Sequence, residues 1–257
     1  MTKASILIAN FNSANYIEQC INSLKSQTYN NYEIIFFDDN STDNSLDIIN
    51  NFQNVKIIEN KRQTNFGSLN QIKAYKIAYD NSSGDILFFL DSDDYFSEFK
   101  LKKVIENFSN NPDKKILFDY PSIINNEKII NIKKKTKFFK TYWPYIHPQS
   151  CISIRRSIAD EMFNKINYEK YTDVWMDFRV CLFSKYILKE IHTIDQNLTF
   201  YRQTDKNISS GFKKFTDKWW QRRKEAHNYL INFAKDNNFK VTKNLDFFVT
   251  NLMNFFV

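Results

Sequence analysis

Apolar runs and helical periodicities alternate along the first part of the chain. Ala4 to Ala9 (Ala-Ser-Ile-Leu-Ile-Ala) is short and nearly all apolar, the pattern of a strand buried on both faces. After the polar stretch Asn10 to Asn15, the residues Tyr16, Ile17, Cys20, Ile21 and Leu24 recur at the spacing of one helix face, to about Gln27. The cycle then repeats. Tyr32 to Phe37 is a second strand, and Leu46, Ile48, Ile49 and Phe52 mark a short helix with Thr42 or Asp43 as its N-cap. Val55 to Ile58 is a third strand. Leu69, Ile72, Tyr75, Ile77 and Ala78 mark a helix expected to close at Gly84, and Ile86 to Leu90 is a fourth strand. Such alternation predicts an α/β fold with a Rossmann-like, mostly parallel central sheet flanked by helices.

Past Glu98 the pattern loosens. Leu101, Val104, Ile105 and Phe108 form an amphipathic helix ending at Asn110-Asn111-Pro112. Strand-like pieces follow at Lys115 to Phe118 and Lys128 to Ile132, then the basic run Lys133 to Lys137 and an aromatic loop, Tyr142 to Pro148. Cys151 to Ile154 reads as a strand, Ser157 to Phe163 as a helix, and Thr172-Asp173 as the opening of an apolar helix reaching about Tyr186. Leu198 to Arg202 is a last strand, leading into a polar loop ending Ser209-Ser210-Gly211. From Phe215 the chain is helical, with Trp219, Ala226, Leu230 and Phe233 on one face and a second segment at Leu245, Phe248, Leu252 and Phe256. It ends apolar, at Asn254-Phe255-Phe256-Val257, and a further segment is expected beyond.

Composition narrows the chemistry. At 257 residues the chain can bury a sizeable core. Its 3 glycines, Gly67, Gly84 and Gly211, are too far apart for a Gly-x-Gly-x-x-Gly or Walker loop, so any nucleotide must be held by another device. Cys20, Cys151 and Cys181 lack Cys-x-x-Cys spacing and read as reduced, buried thiols. With no signal-peptide pattern and no apolar run of spanning length, a cytoplasmic location is expected. The net charge of +7 suits an anionic partner, but dispersed lysines and core-like aromatics argue against nucleic acid. Lys213, Lys214, Lys218, Arg222 and Arg223 beside the aromatic helical faces suggest peripheral contact with an anionic inner membrane; packing back onto the main domain is the other reading.

Carboxylates supply the strongest signal. The fourth strand ends in Asp91-Ser92-Asp93-Asp94, and side-chain alternation lets Asp91 and Asp93 point the same way. Like charges held that close call for a cation or positive partner. The second strand ends in Asp38-Asp39, so a parallel sheet brings both clusters to its carboxyl rim, where ligands of open α/β sheets bind.

These motifs resemble those of the family 2 glycosyltransferases, inverting enzymes of the GT-A fold. The resemblance rests on Ala9-Asn10-Phe11-Asn12, on Ser23 to Thr28, on Asp38-Asp39-Asn40-Ser41-Thr42-Asp43 and on Asp91-Ser92-Asp93-Asp94 after Gly84-Asp85. It thins later but resumes at Thr172-Asp173 through Arg179 and at Tyr201-Arg202 through Ser209. It implies a nucleotide-sugar-binding half at 1–97, an acceptor-binding half at 98–212 and a helical C-terminal extension at 213–257. It further implies that Asp39 reads the nucleotide base, in a pocket lined by Ala9, Phe11 and Asn12 with Asp38, Ser92 and Arg202 as further nucleotide contacts. Asp91 meets ribose or metal, Asp93 ligates Mn²⁺ or Mg²⁺, and Arg202 holds the diphosphate. Asp173 is the implied general base, with Asp177 one turn on as the reserve. The implied partners are a nucleotide-sugar donor, probed first as a UDP-sugar, and a glycan or lipid-linked acceptor in bacterial surface-glycan synthesis.

The chain departs from the family pattern at Thr172, where Glu is usual, at Thr204, where His is frequent, and at Tyr75-Lys76, where Arg-Asn is common. Lys73 or Lys76 then become substitutes for the missing cation. Plainer roles stand beside these. Asp173 caps its helix, Asp38 accepts hydrogen bonds in its turn, Phe11 is core, Arg179 pairs with a carboxylate, and His147, His192 and His227 are structural or surface residues. Two other classes remain open: a nucleotidyltransferase, and a non-catalytic scaffold on a degenerate GT-A fold.

Overall fold

The computed structural model describes residues 1–61, 64–125, 128–133, 143–166, 169–204 and 211–256. Most of the basic run after Lys133, the start of the aromatic loop at Tyr142, and the polar loop to Ser210 lie outside the described residues. The described strands form one nine-stranded sheet. Its first part is β3 (Val55–Glu59), β2 (Tyr32–Asp38), β1 (Ala4–Asn10) and β4 (Ile86–Asp91), in that order and all parallel. Register sets the rim: Asn10 of β1 lies opposite Asp38 of β2, and Ala9 lies opposite Asp91 of β4.

Beyond β4 the sheet is mixed. β8 (Ile152–Arg155) runs antiparallel to β4 and to β6 (Ile116–Asn125). β6 then pairs in parallel with β9 (Thr193–Arg202) and antiparallel with β7 (Lys128–Asn131), while the short β5 (Tyr95–Phe96) closes the far edge against β9. The mostly parallel sheet expected from the apolar runs therefore describes the first four strands, and crossing β4 changes the direction of pairing. β6 is much longer than its apolar start, because Asp119 and Pro121 interrupt its pattern. The ladder shifts register at Asp119/Tyr120 and Tyr120/Pro121, which accommodates a proline with no N–H to give.

Alternate side chains of the buried strands feed two cores. Leu7, Phe37 and Phe89 face α3 (Gly67–Asp80), α5 (Arg156–Ile166), α6 (Met176–Tyr186) and α7 (Asp217–Asp236). Ile6, Ile8, Phe36, Phe88 and Leu90 face α1 (Ala14–Lys25), α2 (Ser45–Asn50) and α4 (Lys100–Asn110). α7 is core to the fold, with Ala226, Tyr229, Leu230 and Phe233 all buried; α8 (Leu245–Met253) lies outside both cores.

Three boundaries differ from expectation. The N-cap of α2 is Asn44; Asp43 instead accepts from the N–H groups of Ser45 and Ala14, at 3.0 Å each, tying two loops together. α3 ends at Asp80 with Asn81 as its C-cap. Gly84 serves another purpose, since an added Cβ there would sit 2.6 Å from the Ser5 backbone nitrogen; only glycine lets the chain enter β4 this close to β1. α6 starts at Met176 with Trp175 as its N-cap, later than the motif suggested, so Asp173 sits in the preceding turn.

Candidate active site

A cavity of about 480 Å³ opens over the carboxyl ends of β1 and β4. β1 and the loop after it contribute Ala9, Asn10, Phe11 and Ser13; α3 contributes Gly67, Asn70, Gln71 and Ala74. The β4 turn contributes Asp91, Ser92 and Asp93, and Asp39 stands at the end of β2. The opposite wall is made by Ile146, Pro148, Gln149, Trp175, Asp177, Tyr201 and Arg222. A smaller cavity of about 290 Å³, lined in part by Lys61, Lys73 and Lys76, shares Asp39 and Asn70 with it.

The two acidic turns are built differently. Asp38 does not line either cavity. Its carboxylate is fully buried and accepts from Asn10 Nδ2 at 2.7 Å, the Ser41 N–H at 2.8 Å and Ser41 Oγ at 2.6 Å, which shapes the turn that presents Asp39. Asn12 is likewise a brace. It takes a left-handed φ of 53°, and its Oδ1 accepts from the Thr42 N–H at 2.7 Å. Phe11, 37% exposed, projects into the cavity instead of the core.

At β4 the carboxylates are crowded. Asp91 Oδ1 accepts from Gln71 Nε2 and from the Tyr75 hydroxyl, both at 2.7 Å, yet burial still holds its pKa above the ordinary value. Burial and then the Asp91 charge push Asp93 up to about 7. Asp94 is likewise raised well above its ordinary value by burial and both neighbours, although it accepts from Ser150 Oγ at 2.6 Å and from the Arg202 N–H at 2.8 Å. Ser150 also accepts from the Asp91 N–H at 3.0 Å, and its carbonyl takes a 2.8 Å bond from the fully buried Lys100. Lys100 pairs in turn with Asp119 and donates to Thr199 Oγ1 at 2.7 Å. This buried network carries the β4 turn on β6 and β9, and nothing in the local sequence announces it.

Arg202 does not line the cavity. It donates from Nε to the Asp93 carbonyl at 2.9 Å and from Nη2 to Gln19 Oε1 at 2.6 Å, with its guanidinium 4.7 Å from the Tyr16 ring. It braces the acidic turn from behind. The cation that does line the cavity is Arg222 of α7, stacked 4.2 Å from Trp175 and 4.1 Å from Phe212.

Of the two candidate bases, Asp177 faces the cavity and Asp173 is not among its lining residues. The backbone of Asp173 is held by α7: its N–H donates to Glu225 Oε2 at 3.1 Å and its carbonyl accepts from Arg222 Nε at 2.7 Å. Asp177, in the first turn of α6, is pushed up to about 7 by burial, with Asp91 adding to the shift and Arg222 opposing it. Arg179 is held by main-chain carbonyls, with the Glu225 charge also acting on it: its guanidinium, fully buried, donates to Val174 at 3.0 Å, Ile166 at 2.8 Å and Tyr171. That staple fixes the turn leading into Asp177. His147 is structural, its Nδ1 2.9 Å from the Asp119 carbonyl and its ring stacked on Phe118.

The donor set suits a hard divalent ion shared with a substrate. Among the described residues no three His, Cys, Asp or Glu side chains form a metal cage. Asp91 and Asp93 offer two carboxylates, both raised first by burial and Asp93 also by the Asp91 charge, that a divalent ion between them would neutralise. Mg²⁺-type sites are commonly completed by substrate phosphates on one or two carboxylates.

Residues 5–166 match the Glycosyl transferase family 2 domain, more than half of the chain. The chain belongs to glycosyltransferase family 2. Among the similar family members, an uncharacterised glycosyltransferase of Nostoc sp. is 28% identical over 218 residues, covering 78% of this chain and 64% of that protein. The Escherichia coli UDP-Glc:alpha-D-GlcNAc-diphosphoundecaprenol beta-1,3-glucosyltransferase WfaP is 37% identical over 120 residues, covering 47% of this chain and 45% of the other. The chain thus spans less than two thirds of either relative. Among solved structures, S. aureus TarS 1-349 in complex with UDP-GlcNAc superposes with a TM-score of 0.64 at 16% identity, over 98% of this chain and 70% of that one. At that identity the likeness establishes the fold, which is GT-A.

Several site residues escaped the sequence reading. Gln71 and Tyr75 lie one turn apart on α3, a spacing open to inspection, but Tyr75 reads as a core position. Trp175 and Arg222 have no such signal, being joined only by the packing of α7 against the turn before α6.

Proposed function

We propose that this chain transfers a glycosyl group from a nucleoside diphosphate sugar, most simply a UDP-sugar, to a hydroxyl of a glycan or lipid-linked acceptor in bacterial surface-glycan synthesis. The observation that carries this reading is the single cavity in which Asp91 and Asp93 face Asp177 and Arg222 across the sheet rim. Asp39 and Phe11 are assigned to the nucleotide base, by resemblance, with Asn70 between the two cavities as an added contact. Asp93, with Asp91, would hold Mn²⁺ or Mg²⁺, which supplies the positive charge that a departing diphosphate needs.

Asp177 is our assignment for the general base, in preference to Asp173, because it lines the cavity and its carboxyl titrates near neutrality. It takes the proton of the acceptor hydroxyl as that oxygen attacks the anomeric carbon from the side opposite the leaving diphosphate, so the configuration inverts. Arg222, stacked between Trp175 and Phe212, presents fixed positive charge to the same space and takes the diphosphate role that resemblance gave to Arg202. The names of WfaP and of the TarS complex support a uridine nucleotide.

The test is calorimetric titration of UDP and GDP, with and without Mn²⁺, into the wild-type chain and Asp93→Ala. Metal-dependent UDP binding lost in the variant supports the reading. A preference for GDP overturns the choice of donor, and binding of neither nucleotide overturns the enzyme.

A further inference from the structure

α8 is built inside out. Its inward side is largely polar, with Phe247 against the His227 ring as its main apolar contact: Asp246 accepts from Trp143 Nε1 at 3.1 Å and Arg223 Nε at 3.0 Å, and Asn254, just past the helix, donates to the Trp220 carbonyl at 2.9 Å. Thr250 is fully buried, and its Oγ1 has no hydrogen-bond partner among the described residues. The outward face carries Leu245, Phe248, Val249 and Leu252, exposed by 78%, 57%, 39% and 59%, and Phe255 and Phe256 follow at 83% and 74%. A helix serving only its own domain shows the reverse arrangement, and an apolar patch this continuous marks an interaction surface.

Phe215 enlarges the patch. It holds a left-handed φ of 67°, costly for a bulky side chain, while leaving its ring 73% exposed beside Trp219 and Trp220. The bond from Asn254 to Trp220 puts Phe255 and Phe256 at this same end of the α7–α8 hairpin. Exposed cations flank both ends, Lys213, Lys214 and Lys218 here and Lys240 and Lys243 before α8. Residues 211–257 hold nine Lys and Arg against four Asp and Glu.

We propose that this face docks on an anionic lipid bilayer, with α8 lying in the plane of the interface, its Phe and Leu side chains at the acyl boundary and the flanking lysines among the headgroups. Apolar side chains ringed by lysine are the pattern of an interfacial helix, and anionic headgroups complete the charge. The core of a protein–protein interface is instead depleted of lysine. Phe212, three residues from Phe215, stacks on the cavity residue Arg222, so the docked loop borders the candidate active site. A lipid-linked acceptor would reach Asp177 from this side, an extension that rests on the proposed function.

The experiment is flotation of the full chain with vesicles of equal parts phosphatidylglycerol and phosphatidylcholine, against vesicles of phosphatidylcholine alone. The chain is expected to float with the anionic vesicles. The bound fraction should fall about tenfold or more in Phe248→Ser/Leu252→Ser/Phe256→Ser, and severalfold in Lys213→Glu/Lys214→Glu or at high salt. No flotation overturns the proposal, as does flotation indifferent to all these changes. A concentration-dependent dimer in light scattering, lost in the apolar variant, assigns the face to a second copy and overturns it too. UDP titration of the same samples keeps the two readings apart. Nucleotide binding without flotation sinks the docking surface alone, and flotation without nucleotide binding sinks the enzyme alone.

Discussion

The ends of β2 and β4 flank β1 at the same level, and both carry adjacent aspartates. Their physical states differ. At β2, Asp38 spends its charge on three donors from its own neighbourhood and leaves Asp39 to face the cavity. At β4, three carboxyls are packed together, and all of them titrate above their ordinary range. A buried carboxylate that is fully hydrogen-bonded belongs to the scaffold. One held buried beside like charges is unfavourable in the resting fold and is retained for what it meets. The same residue type thus does opposite work on two strands of one rim.

The contrast can be broken by substitution. Its largest consequence lies at Asp177, whose shift comes from burial and the Asp91 charge: Asp177→Asn should lower kcat by about 10²–10⁴-fold with UDP affinity nearly unchanged, read in a sugar-transfer assay. Asp173→Asn, away from the cavity lining, should cost far less; equal losses would overturn the assignment of the base. Next comes Asp93→Ala, which should weaken metal-stimulated UDP binding by more than about tenfold in calorimetry while sparing the fold. Asp38→Asn should do the reverse. It leaves metal dependence intact but costs about 1–3 kcal/mol, since an amide cannot accept from all three donors. In thermal unfolding that is a drop of about 2–4 °C per kcal/mol.

The smallest effect is in pH. With Asp177 as the proposed base, activity should fall as pH drops through about 7. Stability runs the other way. Because its pKa is raised on folding, the protonated form is the one the fold favours; Asp177 therefore destabilises increasingly as pH climbs from the unfolded value through about 7. Asp177→Asn should accordingly melt higher than wild type at alkaline pH and show little difference in acid, by scanning calorimetry. An equal melting difference at both would contradict a raised carboxyl.

The first four strands and the arrival of the two acidic clusters at one rim were legible along the chain, because parallel strands buried on both faces write themselves as apolar runs with the chemistry at their ends. Past Glu98 legibility fails for identifiable reasons. β6 hides behind Asp119 and Pro121, which a ladder irregularity absorbs, and β5 is too short to carry a pattern. Thr172-Asp173 resembles a helix start, but the turn stapled by Arg179 delays α6 to Met176. That delay is what brings Asp177 to the cavity in place of Asp173.

By itself, then, the sequence determined the α/β class, the parallel core, the absence of a Gly-rich phosphate loop and the two acidic clusters whose motifs resemble those of family 2 glycosyltransferases, all properties of local pattern. Only tertiary structure decided which carboxylates are braced and which are crowded, and which of two aspartates faces the cavity. It also decided that Arg222, remote in sequence, lines the cavity while Arg202 braces the turn from behind, and that α8 turns its apolar face outward. Those outcomes depend on burial and on partners brought together from distant segments, and an electrostatic environment is not written at any single position.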